Sequence, residues 1–208
     1  MIDILGVSGT PRRNGNSDAM AEAVLAAAEA QGMATRMVRL RDYDFGPCVG
    51  CERCRKDKAC TRLMDGMQLI YPLLQKARGL VLVSPVHTYN ISALMKAFID
   101  RLYCYYDFED GVPRAWSSRL AGQGRKAVLA CVAEQLEQEN LGVAMEAMRM
   151  PLASHDYEIV GELPVLGLFR AGAVRSHEEA LERCATLGRE LAKALHGPVS
   201  DRSTASRT

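Results

Sequence analysis

The chain has 208 residues, 48% of them apolar and 25% charged, with a formal net charge of +1. That length supports one domain with a full core, and the near-neutral balance removes any general electrostatic case for nucleic acid or an acidic membrane surface. The first residues carry no basic region and place Asp3 inside the apolar run, unlike a secretory signal; no stretch approaches the ~18 apolar residues of a spanning helix, so a cytoplasmic protein with reduced thiols is predicted.

Residues 2–7 (Ile-Asp-Ile-Leu-Gly-Val) are apolar and β-branched, which predicts a strand. A polar loop over 8–17 follows. The breaker-free stretch 18–31 predicts a helix that begins at Asn16 or Ser17 and ends at Gly32. Residues 34–40 predict a second strand, and a cysteine run comes next. Met64 to Ala77 has helical spacing, with Pro72 bending it or stopping it early. Residues 79–84 form a continuous apolar strand of the kind buried on both faces. Residues 85–90 predict a loop, and Ser92 to Leu102 a helix with Leu94, Phe98 and Leu102 on one face.

Residues 103–124 read as a long irregular connection. A fourth strand is predicted at 126–132, a helix from Glu137 to Met150 stopped by Pro151, and a fifth strand at 155–160. The last helix opens with Ser176 as cap and Glu179 in the capping-box position, and reaches about His196. A frayed tail is expected over 197–208. Five alternations of strand and helix predict one α/β domain over 1–196. Its sheet is doubly wound, parallel and five-stranded, in the flavodoxin-like order 2-1-3-4-5, within three layers.

Four of the seven cysteines, Cys48, Cys51, Cys54 and Cys60, fall in a C-x2-C-x2-C-x5-C run. Soft thiolates suit iron–sulfur clusters, zinc or copper(I). The x2, x2 spacing matches the start of a ferredoxin run that holds a [4Fe–4S] cube. A zinc site, or a reduced loop without metal, stays open on spacing alone. Cys104, Cys131 and Cys184 stand in apolar surroundings and read as packing residues.

Ligands of such a sheet bind beyond the strands' carboxyl ends, where loops 8–17, 85–92 and 133–137 are expected to meet. The first offers Ser8, Thr10, Asn16 and Ser17 as hydroxyl or amide donors and Arg12 as a charged fork. The helix that follows turns its free N–H groups to an anion. The loop is neither a G-x-G-x-x-G fingerprint nor a P-loop, so a monophosphate such as that of FMN fits better than a dinucleotide or a triphosphate. In the second loop Pro85, Val86, His87, Thr88 and Tyr89 offer backbone groups and apolar cover for a flat ring.

Three segments together resemble one family: Gly-Val-Ser-Gly-Thr-Pro-Arg-Arg-Asn-Gly-Asn-Ser at 6–17, the cysteine run at 48–60, and residues 84–101 with Ser-Pro-Val-His-Thr-Tyr and Ser-Ala-Leu-Met-Lys-Ala-Phe-Ile-Asp-Arg. The chain is similar to the NADPH-dependent FMN reductase-like branch of the flavodoxin-like superfamily, and within it to the iron–sulfur flavoproteins. The resemblance implies that FMN is held by Ser8, Thr10, Arg12, Asn16 and Ser17 at its phosphate and by Pro85, Val86, His87, Thr88, Tyr89 and Asn90 at its ring. It also implies a [4Fe–4S] cluster on Cys48, Cys51, Cys54 and Cys60, and a homodimer or homotetramer.

The expected function is electron transfer between FMN and the cluster, with ferredoxin or NAD(P)H as donor. Arg53, Arg55, Lys56 and Lys58 beside the cysteines suit an acidic partner. The alternatives are an FMN-dependent NAD(P)H reductase of quinones, flavins or other small acceptors without a cluster, and a zinc- or thiol-based redox sensor. Standing after the second strand, the cysteine run is expected beside the FMN site.

Overall fold

Alternate residues of the central strands face opposite cores. Leu80 and Leu82 join one apolar cluster while Val81 and Val83 join the other. Ala127, Leu129 and Cys131 are likewise separated from Val128 and Ala130. This is the two-residue period of a strand buried on both faces. In the computed structural model, which describes residues 2–197, the sheet strands are β1 (Ile4–Ser8), β2 (Thr35–Arg39), β3 (Gly79–His87), β4 (Lys126–Val132) and β5 (Glu158–Val165). All are parallel, in the predicted order 2-1-3-4-5. The tail expected after 197 lies outside the described residues.

The helices are α1 (Asn16–Glu29), α2 (Arg53–Asp57), α3 (Met67–Lys76), α4 (Ala93–Arg101), α5 (Ala144–Ser154) and α6 (Glu178–His196). α3, α4 and α5 cover one face of the sheet through Ile70, Phe98 and Met148. α1 and α6 cover the other through Met20, Val24, Leu187 and Leu191. The result is the expected three layers. Among the described residues no helix is long and apolar enough to cross a membrane.

Several boundaries differ from the sequence reading. Pro151 lies inside α5 and does not end it, and Pro72 lies inside α3. A proline in a helix interior costs ~3 kcal/mol. Met148 and Leu152, both fully buried on either side of Pro151, are each worth about 1.5–3 kcal/mol, so packing outweighs the lost backbone bond. The N-terminal part of the predicted helix at 137–150 is a 3₁₀ turn, Gln138–Leu141, set off by Gly142 at φ +54°. The fifth strand starts at Glu158 because Asp156 takes φ +65° and Tyr157 N bonds back to Leu152 O. The last helix is capped by His177, whose side chain accepts from Ala180 N, so the Ser176–Glu179 capping box does not form. Ser176 instead ends a short 3₁₀ turn over Ala173–Ser176. Residues 103–124 contain a small hairpin, Tyr106–Phe108 against Trp116–Ser118.

That hairpin closes over His155, which is 1% exposed, stacks on Tyr106 at 4.2 Å and bonds Ser118 through Nδ1 at 2.8 Å. Burial, helped by the charge of Arg125, pulls its pKa down to about 4 from an ordinary 6.5. Stability is therefore expected to fall as pH drops from 6.5 to about 4. In that window the unfolded chain takes a proton that the folded chain refuses. Above it neither state binds the proton, and below it both do. The loss amounts to roughly 3 kcal/mol at ~1.4 kcal/mol per unit. Urea titrations across the window should show a shallower pH slope for His155→Asn than for the wild type, and equal slopes would count against this assignment.

Candidate functional site

The first loop is built from β1 and the start of α1. Gly9 N bonds Val83 O at 2.9 Å, which keeps the chain against β3 as it leaves the sheet. Thr10 Oγ1 then accepts from Arg12 N at 3.2 Å. A Cβ on Gly15 would stand 2.6 Å from Thr10 Oγ1, so this tight return requires glycine. Asp18 N and Ala19 N both bond Gly15 O. The amides of Asn16 and Ser17 are left at the open, positive end of α1. Ser17 is 1% exposed, and its hydroxyl has no hydrogen-bond partner among the described residues. A buried hydroxyl without a partner costs about 1–3 kcal/mol, so it fits a ligand oxygen that the protein alone does not supply.

A solvent-open cleft of about 580 Å³ brings together Thr10, Arg12, Asn16, Ser17, Pro85, Val86 and His87 from the predicted set, with Glu134 and Gln135 of the loop after β4. Besides Thr10, two of these side chains are committed within the protein. Asn16 donates to Arg170 O at 3.0 Å and accepts from Val174 N at 3.1 Å. Arg12 donates to Phe169 O at 2.8 Å and lies 4.8 Å over the Phe169 ring. Ser8 does not reach the cleft. It donates to Asp18 Oδ1 at 2.8 Å, and Asp18 pairs with Arg41 at 2.8 Å.

The segment predicted as a loop at 85–90 is mostly strand. β3 runs to His87, turns at Thr88 and Tyr89, and pairs back antiparallel through Asn90 and Ile91. Both turn residues have positive φ, +49° and +62°, as a two-residue hairpin of this kind demands. Bulky residues resist that conformation. The turn is held by Val143 N donating to Tyr89 O at 2.9 Å. Thr88, Tyr89 and Asn90 lie outside the cleft lining; Asn90 Oδ1 accepts from Ile91 N. Ser92 caps α4 by accepting from Met95 N and also donates to Gly9 O at 2.6 Å. The two ligand loops are thus tied to each other.

Leu168, Phe169 and Ala171, after β5, also line the cleft and went unread in the sequence. They follow the carboxyl end of a sheet strand, the general position of ligand loops. Placing that strand at 155–160 hid the signal.

The second site is a cavity lined by Cys48, Cys51, Cys54 and Cys60. Cys48 and Cys51 are exposed, while Cys54 and Cys60 are half-buried. Burial pushes the Cys54 thiol up, and the negative charge of Cys48 adds to this. Arg101, Tyr103 and Cys104 complete the wall. Cys104 is a buried core residue, as expected, that also backs this wall; burial raises its thiol to about 11. Among the described residues no three His, Cys, Asp or Glu side chains converge as a metal ion requires. The donor type suits an iron–sulfur centre, whose thiolates stand around a cube and do not converge on one ion. Of the basic residues beside the cysteines, Arg55 is tied to Tyr103 Oη at 2.9 Å and Lys58 to Asp107 at 2.5 Å, while Arg53 and Lys56 are exposed.

The two cavities share no residue. α4 starts at Ser92, which is tied to Gly9 of the first loop, and ends with Arg101 in the cysteine cavity. The chain returns from β2 through a 3₁₀ turn, Leu40–Asp42, and sets Cys60 against Arg101 at the end of α4.

Comparison with known proteins follows this division. The chain is 37% identical over 112 residues to an iron-sulfur flavoprotein of Archaeoglobus fulgidus, covering 52% of this chain and 56% of the relative. It is 33% identical over 100 residues to one of Methanocaldococcus jannaschii, covering 48% and 51%. These matches span about half the length of the curated relatives. In structure it is similar to the NAD(P)H:quinone oxidoreductase from Methanothermobacter marburgensis, with a TM-score of 0.69, 19% identity, and 91% and 96% of the two chains covered. It is also similar to a flavodoxin from the domain Archaea, at TM-score 0.55 and 14% identity, covering 94% and 100%. The profile of the NADPH-dependent FMN reductase family matches residues 2–152, the span that carries β1 to β4, the cysteine run and the first two ligand loops, and the chain belongs to that family.

Proposed function

We propose that this chain is an FMN-dependent oxidoreductase that passes electrons between FMN in the polar cleft and a [4Fe–4S] cluster on Cys48, Cys51, Cys54 and Cys60. The observation that carries the FMN reading is the unpartnered, buried Ser17 hydroxyl at the open end of α1, in a chain of an FMN reductase family. When bound, FMN exchanges one or two electrons and so couples one-electron carriers to two-electron substrates. Ser17, Thr10 and the amides that open α1 would bind its phosphate. Pro85, Val86 and His87 would border its ring, and Glu134 and Gln135 would limit access from the β4 side. The reading of the cluster is supported by four thiols on one cavity and by the names of the relatives. A cytoplasmic setting, where thiols stay reduced, and a homodimer or homotetramer belong to the same reading. NAD(P)H, or ferredoxin meeting the exposed Arg53 and Lys56, would deliver the electrons.

A second reading is an FMN-dependent NAD(P)H reductase of small acceptors with no cluster. It is favoured by the matching profile, which is that of an NADPH-dependent FMN reductase. Iron, acid-labile sulfide and flavin are to be measured on protein purified without oxygen. About four irons and four sulfides per FMN are expected, and Cys51→Ala should remove the cluster absorption while leaving FMN bound. FMN without iron, even after anaerobic reconstitution, would leave only the second reading. Zinc at one per chain would favour a thiol-based sensor.

A further inference from the structure

Arg101 is the largest of the fully buried side chains, 2% exposed at the end of α4. Lone buried charges are costly, and this one is matched contact for contact. Its Nη1 and Nη2 grip Asp65 at 2.6 and 3.0 Å, Nη1 also reaches Gly46 O at 2.9 Å, and Nε meets Tyr71 Oη at 3.3 Å. Its remaining donor direction points at Cys60, with Nη2 3.5 Å from Sγ. Asp65 in turn accepts from Gly46 N and Met67 N. Gly46 stands before the cysteine run and Asp65 after it. One guanidinium thus joins both ends of the run and touches its last thiol.

We infer that Arg101 is the positioning residue of the cysteine site, locking the run's two ends together and placing a fixed positive charge on the Cys60 sulfur. This inference rests on the cluster reading above. Donors and charge around a ligating sulfur set both retention and potential. Reduction adds a negative charge to the site, which Arg101 stabilises and Asp65 opposes. Removal of either residue should loosen the run, but the two removals should move the cluster potential in opposite directions.

The test compares wild type, Arg101→Lys, Arg101→Met and Asp65→Asn, all reconstituted anaerobically with FMN bound as the control for folding. Loss of iron to a chelator should be about tenfold faster or more in every variant, in line with the usual cost of removing a ligand's hydrogen-bond partner. The midpoint potential, followed by electron paramagnetic resonance, should fall in Arg101→Met, recover in part in Arg101→Lys, and rise in Asp65→Asn. General loosening does not produce opposite signs. Equal potentials in all four proteins would overturn the proposal. If Arg101→Met fails to fold, the rise in Asp65→Asn and the partial fall in Arg101→Lys still decide it. If the wild type takes no iron, the cluster reading fails by itself. Hydrogen exchange of 46–65 in the apoprotein then tests the lock: unchanged exchange in Arg101→Lys and Asp65→Asn would refute it.

Discussion

Replacing Ser17 by aspartate is expected to weaken FMN binding by a hundredfold or more, measured by quenching of flavin fluorescence. The hydroxyl is buried and lacks a partner in the protein. A hydrogen bond from it to a charged phosphate is worth about 1.5–3 kcal/mol, or roughly tenfold to more than a hundredfold. A carboxylate adds repulsion at the same place. Ser17→Ala should lose only the hydrogen bond, with a smaller fall in affinity. The apoprotein of Ser17→Ala should be no less stable than wild type, because no internal bond is removed. If that apoprotein were clearly destabilised, Ser17 would be serving the fold and not a ligand. Arg12→Ala should matter less than Ser17→Asp, since Arg12 already spends donors on Phe169.

Gly188→Ala should destabilise the chain by roughly 3 kcal/mol, read as a lower urea midpoint without cofactor. Gly188 lies inside α6, where alanine would ordinarily gain ~1 kcal/mol. Here a Cβ would overlap Val24 O of α1 and stand 3.0 Å from Ala27 Cβ. Backbone cannot step aside as a rotamer can, so α1 and α6 must move apart. The change also tests how the site is held, because α1 carries Ser17 and Asn16 at its start. Weaker FMN binding should accompany the loss of stability, though less than in Ser17→Asp. An unchanged or raised midpoint would show that the two helices are not packed this closely.

The sheet was legible because its signal is local. Leu80 to Val83 alternate between two cores with no polar residue between them, and that pattern, with the helices between strands, leads to order 2-1-3-4-5. The cysteine spacing and the polar first loop were legible for the same reason, since chemistry and spacing can be read along the chain. The errors fell where a distant partner outweighed local preference. Pro151 did not end α5, because Met148 and Leu152 bury on either side of it. Ser176 lost its cap to His177. The fifth strand, read at 155–160, starts only at Glu158, after a turn around Asp156, and runs on to Val165.

In the site, residue type led to several residues that line the cleft but not to their employment. Ser8, Asn16 and Arg12 carry the right donors, yet Asp18, Arg170 and Phe169 use them first. Ser17 stands apart only because burial left its hydroxyl alone, and burial is a property of the packed chain. Arg101 reads in sequence as the charged end of an amphipathic helix. Only the fold brings Gly46, Cys60 and Asp65 to its guanidinium, since hydrogen bonds across 36 to 55 residues leave no trace in local pattern. By itself the sequence determined the kind of sheet, the thiols and the polar first loop. The tertiary structure decided which donors stay free, and it brought Arg101 to the cysteine cavity.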